Sequence, residues 1–136
     1  MSDDTSINNV EDLLDFCADD PPGCTSIHLD EHGAFTCGTR STVLDSLEQW
    51  ATDPSRIISA ATDRTTCGRR WIIFVRRDTP PTEADASHYL DIAAALRCEG
   101  VDLIDVVIAW DDKHVSMRHL EHRTNDYDTA GWHDAA

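Results

Sequence analysis

Two apolar runs separated by a helix-like segment constrain the fold of this chain more than any other feature. The first run spans residues 70–75 and the second residues 101–110, and both are rich in β-branched residues. Short runs of this composition are typical of strands that are buried on both faces. Between them, Thr82-Glu83-Ala84-Asp85 is a capping pattern for the start of a helix, and Gly100 is a typical helix stop. The sequence therefore predicts a strand–helix–strand unit, joined by a right-handed crossover if the strands are parallel.

The segment before this unit predicts a short helix and a β-hairpin. Residues 1–9 are polar and are expected to form a loose arm, after which Asn8 or Asn9 can cap a helix that ends by Asp19. Strands are expected over residues 25–30 and 34–38. Polar and apolar residues alternate in the first strand, which predicts that only one of its faces is buried (Ser26, Ile27, His28, Leu29).

Further helices and a last strand complete the predicted order. One helix is expected over residues 42–51, and Asp53-Pro54 favours the start of another. Asp111-Asp112 is a turn signal before a closing strand over residues 114–120. The order is α-β-β-α-α-β-α-β-β, an α/β fold with a mixed β-sheet flanked by helices. The division expected is an arm with a short helix (1–24), one domain (25–120) and a polar tail (121–136).

Composition indicates one globular domain in a reducing compartment. The length of 136 residues and an apolar fraction of 40% suit a single compact core. No apolar run reaches the length of a membrane span, and the first residues lack a signal-peptide pattern. Five cysteines without a C-x-x-C pair are a poor disulfide framework. We therefore expect a cytoplasmic protein without a membrane partner.

The charge of the chain is strongly acidic, with a formal net charge of -15. Such a surface repels phosphate, so direct DNA binding over most of the surface is disfavoured. Two interpretations stay open: the acidity reflects the composition of the host's proteins, or the carboxylates imitate DNA phosphates. The positive charge is concentrated in one segment, where it could hold an anion or pair with neighbouring carboxylates (Arg64, Arg69, Arg70, Arg76, Arg77).

Several segments resemble those of a known family. Gly38-Thr39 follows the predicted hairpin, Asp53-Pro54 starts a helix, and residues 102–108 read Asp-Leu-Ile-Asp-Val-Val-Ile. The closing strand begins His114-Val115-Ser116-Met117. From about residue 26 to residue 120, these features resemble the C-terminal domain of RadC-like proteins in the JAB/MPN metalloprotease superfamily. The resemblance implies that family's fold and, in its active members, hydrolysis of an amide or isopeptide bond.

The zinc centre implied by the resemblance is missing from this sequence. In the family, two histidines and an aspartate hold zinc, and an upstream glutamate manages the protons. Here Arg76-Arg77-Asp78 replaces the histidine pair, and arginine stays protonated and cannot bind zinc. Thr82 replaces the family's serine, and Asp85 stands at the third ligand's position, where it also suits a helix start. Residues 34–36, at the glutamate's place, include no carboxylate. We expect no catalytic residues, no metal and no cofactor.

These observations favour a non-catalytic JAB/MPN-like domain that binds a protein partner. The main alternative is an acidic inhibitor, phage- or plasmid-borne, that imitates DNA and blocks a nucleic-acid-binding protein. In that case the carboxylate pairs Asp102 with Asp105 and Asp111 with Asp112 are candidates. A lesser alternative is a metal-dependent (iso)peptidase with a rearranged site, and homo-oligomerisation stays open. The binding candidates are Arg76, Arg77, Asp78, Thr82, Trp110, Asp111, Asp112 and Trp132.

Overall fold

The computed structural model describes residues 7, 9–18, 22–30, 34–40, 47–52 and 70–118. These residues form an α/β fold with a five-stranded mixed sheet and helices on both of its faces. The strands are β1 (Gly23–Leu29), β2 (Phe35–Arg40), β3 (Arg70–Arg76), β4 (Asp102–Trp110) and β5 (Lys113–Ser116). The described helices are α1 (Val10–Phe16), α2 (Leu47–Thr52) and α3 (Glu83–Arg97). The sheet order is β2-β1-β3-β4-β5.

The predicted strand–helix–strand unit is confirmed. β3 lies in the middle of the sheet, antiparallel to β1 and parallel to β4, and α3 connects the parallel pair. Every residue of β3 from Arg70 to Val75 is buried, as expected for a strand covered on both faces. β4 is buried from Ile104 to Ala109. The partner strands β2 and β5 form the two edges of this sheet.

The sheet separates two apolar clusters. On one face, α2 and α3 pack through Leu47, Trp50, Tyr89 and Ile92 against residues of β3 and β4. On the other face, α1 packs against the same strands, and Ile7 belongs to that cluster with no exposed surface. The prediction of a loose arm through residue 9 is therefore wrong at Ile7, because its side chain completes the apolar cover of this face.

The first strand is buried on both faces, which corrects the prediction of a half-buried strand. Ser26 and His28 are only 2% and 1% exposed. The ring of His28 stacks on Trp71 with 4.1 Å between centroids and 4° between planes. Its Nε2 lies 3.1 Å from Ser26 Oγ, so these polar atoms interact with each other inside the core. The polar and apolar residues of β1 do lie on alternate faces of the strand, but both faces are buried.

The start of α1 and the end of α3 have the capping residues that the sequence predicts. Asn9 caps α1, because its Oδ1 accepts a 2.8 Å hydrogen bond from the Asp12 N–H. At the C-terminal end of α3, Gly100 has a φ of 77°, and the Val101 N–H donates to the Leu96 carbonyl at 3.0 Å. A glycine in the left-handed region followed by this bond is a Schellman ending.

The chain after the last hairpin differs from the prediction. β5 ends at Ser116 and the next two residues are helical, so the expected strand to residue 120 is too long within the described part. Ser116 Oγ and the Arg118 N–H both donate to the carboxylate of Asp105, at 2.6 Å and 2.9 Å, which turns the backbone away from the sheet. The helix predicted to start at Asp53-Pro54 and the whole of the predicted tail (121–136), including Trp132, lie outside the described residues.

Candidate functional site

The predicted site residues of the described chain meet where the parallel strands β3 and β4 end, at the carboxyl edge of the sheet. Because β3 and β4 are parallel, their carboxyl ends lie side by side, and the Arg77 N–H donates to the Ala109 carbonyl at 3.0 Å. The carboxyl edge of parallel strands is the usual ligand side of an open α/β sheet. The residues that the fold places there are Arg76, Arg77, Asp78, Thr82, Asp85, Trp110, Asp111 and Asp112.

The guanidinium group of Arg77 is fully engaged by the loop that follows it. Nε donates to the Thr79 carbonyl at 3.0 Å, and Nη2 donates to the Pro80 carbonyl at 3.1 Å. Nη1 and Nη2 donate to Asp85 Oδ1 and Oδ2 at 3.0 Å and 2.7 Å, which is a bidentate pair. All three nitrogens therefore fix the path from β3 to α3, and the sequence-based option of pairing with Asp85 is the one observed.

Thr82 binds the carboxylate of Asp85 from the other side. Oδ2 also accepts hydrogen bonds from the Thr82 N–H at 2.7 Å and from the Thr82 hydroxyl at 3.4 Å. Burial by itself would raise the pKa of Asp85, but the hydrogen bonds from Arg77 and Thr82 and the charge of Arg77 outweigh it and lower that pKa. Asp85 is an ionised helix-start carboxylate, as its position in the capping pattern predicts.

Arg76 points to the opposite face of the sheet from this pair. Its Nη2 donates to the Cys17 carbonyl at 3.2 Å, and its guanidinium carbon lies 5.3 Å from the centroid of the Phe74 ring. Its Nε is buried and has no hydrogen-bond partner among the described residues. The hydrogen bond from Arg76 thus connects the end of α1 to the central strand, and the cation–π contact with Phe74 holds the guanidinium group over β3.

The outer surface of this edge is acidic with one aromatic side chain. Asp78, Asp111 and Asp112 are exposed, and Trp110 is half-buried against the α3-side cluster. Asp111 and Asp112 form the two-residue turn between β4 and β5, and Asp111 has a φ of 51°. Tight turns favour aspartate in this backbone region. The turn therefore presents two neighbouring carboxylates to solvent.

A second polar cluster, which the sequence did not reveal, lies at the opposite ends of β3 and β4. Asp105 has no exposed surface, although the sequence suggested a surface pair with Asp102, and it accepts from Ser116 and Arg118. Arg70 is 8% exposed, and its burial lowers its pKa to about 10. The negative charges of Asp102 and Asp30 act to raise this pKa, and the positive charge of Arg118 lowers it further. The sequence feature that could have indicated this cluster is Asp105, an aspartate inside the otherwise apolar run of β4.

Metal-binding side chains do not converge in the part of the chain that the structure describes. Within those ranges, no group of three or more His, Cys, Asp and Glu residues is arranged to hold an ion. Among the described cysteines, Cys17 and Cys24 are buried thiols in clusters on opposite faces of the sheet, and Cys98 is an exposed thiol. Among the described helices, none has the length and apolar character needed to cross a membrane.

Comparison with protein-family models and with curated proteins gives no match for this chain. The resemblance to RadC-like domains therefore rests on the residues quoted above.

Proposed function

We propose that this chain is a cytoplasmic, non-catalytic relative of RadC-like JAB/MPN domains and acts by binding a protein partner. The observation that carries the proposal is the bidentate pair between Arg77 and Asp85. Asp85 stands where the resemblance puts the third zinc ligand, and Arg77 stands in the segment that replaces the two histidines.

The pair opposes metal binding for two physical reasons. A zinc ion would have to compete for the Asp85 carboxylate with the four hydrogen bonds that it accepts from Arg77 and Thr82, three of them at Oδ2. A fixed guanidinium charge within 3 Å of the same oxygens also repels a divalent cation. The guanidinium group of Arg77 places a positive charge beside Asp85 and fixes the loop between β3 and α3.

The carboxyl edge provides a surface that suits a protein partner. Trp110 is partly exposed there, and tryptophan is enriched among the residues that dominate binding energy at protein interfaces. Asp78, Asp111 and Asp112 are exposed at the same end of the strands and would orient a partner with basic residues. In this proposal Trp110 is the anchor, and the carboxylates set the association rate.

Elemental analysis of the purified chain tests the non-catalytic part of the proposal. After expression with zinc and extensive dialysis, we expect no stoichiometric zinc in the native chain or in Asp85→Ala. About one zinc per chain, lost on Asp85→Ala, would instead support the rearranged (iso)peptidase, with Asp78 and a His or Cys from elsewhere as the further ligands.

Affinity capture from the native host tests the binding part. We expect the native chain to retain a partner that Trp110→Ala loses, while Ser87→Ala, an exposed change on α3, retains it. Thermal unfolding of both variants checks that they are folded. Equal capture by Trp110→Ala would remove this edge from the proposal.

DNA mimicry is the second candidate, favoured by the exposed carboxylates at the carboxyl edge and the net charge of -15. Asp105 is buried and cannot contribute a phosphate-like charge. A mimic's affinity for its partner falls steeply as the Debye length shortens from about 10 Å at 0.1 M salt to about 3 Å at 1 M, and duplex DNA competes. Asp111→Asn with Asp112→Asn would mainly slow association. Binding that ignores salt and DNA supports the protein-binding module with its Trp110 anchor.

A further inference from the structure

The outer face of α3 carries an exposed leucine at the centre of a symmetric pattern. Leu90 is 51% exposed, the larger of the two values among exposed large apolar residues of the described chain. The inner face of the helix, through Tyr89, Ile92 and Leu96, is already buried against the sheet. The outer face is therefore a surface separate from the core contact, and its first residue, Glu83, adjoins the carboxyl edge at Thr82.

The residues around Leu90 are arranged so that the helix complements a reversed copy of itself. Glu83 lies seven residues before Leu90, and Arg97 lies seven residues after it. Seven residues are about two helical turns, so both charged side chains share the face of Leu90. Both are exposed, and neither forms a salt bridge with another residue in the described part of the chain. Ala86 and Ala94 flank the leucine at four residues on either side.

We infer that this face binds a second copy of the chain through an antiparallel α3–α3 contact with a twofold axis at Leu90. In that arrangement the two leucines meet on the axis, and each alanine faces the other alanine of the partner. Glu83 of each chain faces Arg97 of the other, which gives two identical pairs of opposite charge. The antiparallel helices also bring the amino end of each dipole beside the carboxyl end of the other.

The contact should be weak and dependent on concentration. One pair of helices of about 22 Å length covers less surface than the roughly 800 Å² per partner of a standard interface. Two chains of net charge -15 also repel one another. A dissociation constant of about 100 μM at moderate salt is therefore a reasonable target for measurement.

Sedimentation equilibrium of the full chain from about 10 μM to about 1 mM tests the inference. We expect the native chain to pass from monomer to dimer, and Leu90→Glu to stay monomeric with an unchanged thermal midpoint. Glu83→Arg should weaken the dimer about tenfold, because Arg97 of the partner then meets a like charge. The double variant Glu83→Arg with Arg97→Glu should recover it. A monomeric native chain, or a dimer indifferent to Leu90→Glu, would overturn the inference.

Disulfide trapping tests the position of the axis, in a Cys98→Ser background that removes the thiol exposed among the described cysteines. Leu90→Cys places both introduced thiols on the axis and should form a covalent dimer on mild oxidation. Glu83→Cys is the matched control, since its two thiols would be about 21 Å apart in the same dimer. Trapping at both positions, or at position 83 alone, would contradict the proposed axis.

Discussion

At the residue scale, the Arg77–Asp85 pair is the contact whose removal should be most informative. The side chain of Asp85 is only 7% exposed and that of Arg77 26%, so solvent screens the pair weakly. We expect Arg77→Ala and Asp85→Ala each to lower the free energy of unfolding by about 2 kcal/mol. The double variant should lose much less than the sum, because both changes remove the same interaction. Urea unfolding of the four chains measures this, and additive losses would contradict it.

Acid should weaken the same contact. The folded pKa of Asp85 is lower than its usual value, since Arg77 and Thr82 stabilise the ionised form against the effect of burial. The resulting stability is present above the unfolded pKa of about 3.9 and is lost as pH falls through the folded pKa. Between pH 6 and pH 3, Asp85→Asn should therefore lose less unfolding free energy than the native chain. Asp78→Asn, an exposed change on the same loop, is the matched variant that also removes one carboxylate.

Two aspartates of one strand should differ sharply in importance. Asp105 has no exposed surface and accepts hydrogen bonds from Ser116 and Arg118, whereas Asp102 is exposed. Asp105→Ala leaves buried donors without an acceptor and should cost about 3 kcal/mol. Asp102→Ala should change the free energy of unfolding by about 0.5 kcal/mol or less. Chemical denaturation of both variants gives the comparison, and equal costs would disprove the structural role of Asp105.

At the scale of elements, the end of α3 depends on one glycine. Gly100 adopts a φ of 77°, where a side chain is unfavourable, and the bond from Val101 to Leu96 closes the helix around it. Gly100→Ala should lower the unfolding free energy by about 1 kcal/mol. Glu99→Ala, one residue earlier and exposed, is the control and should be nearly neutral. The midpoint of thermal unfolding is a sufficient readout, and equal midpoints would argue against the glycine requirement.

The elements that the sequence predicted best are those with signals inside a single segment. β3, α3 and β4 follow from apolar runs and from caps at Thr82 and Gly100, and these patterns depend little on the rest of the chain. The burial of Ser26 and His28 was missed because alternation of polar and apolar residues indicates which side chains share a face of the strand. It does not indicate whether other parts of the chain cover the polar face. Part of that burial comes from Trp71, which is distant in sequence, pairs with His28 in the neighbouring strand and stacks on its ring.

The candidate site was predictable in location but not in chemistry. The ends of the adjacent parallel strands bring residues 76–78 and 110–112 together. Once both segments are predicted to be parallel strands, a site at their carboxyl ends follows. Sequence reasoning left Arg77 with two options, a neighbouring carboxylate or an outside anion. Only the geometry of the loop, which presents two carbonyls and Asp85 to one guanidinium, selects the internal partner. Asp105 was misplaced on the surface because burial of a charged residue depends on partners in other strands.

At the scale of the whole molecule, the net charge should limit stability at low salt. With a formal charge of -15, repulsion among exposed carboxylates opposes the compact state until salt screens it. The thermal midpoint should therefore rise as sodium chloride increases from about 0.02 M to about 0.5 M. A variant with Asp78, Asp111 and Asp112 changed to Asn should show a smaller rise. A midpoint that is flat in the native chain would mean that repulsion is locally compensated.

The central position of β3 also has a consequence for the order in which the chain acquires its structure. Its neighbours β1 and β4 lie on either side of it in sequence, and each is separated from it by a long connection. Contacts of this kind slow folding, because loop closure comes before the gain from pairing. On the ribosome, β3 emerges before α3 and β4, so its apolar side chains face water until both have followed. Nascent chains at that length would be natural clients for a chaperone.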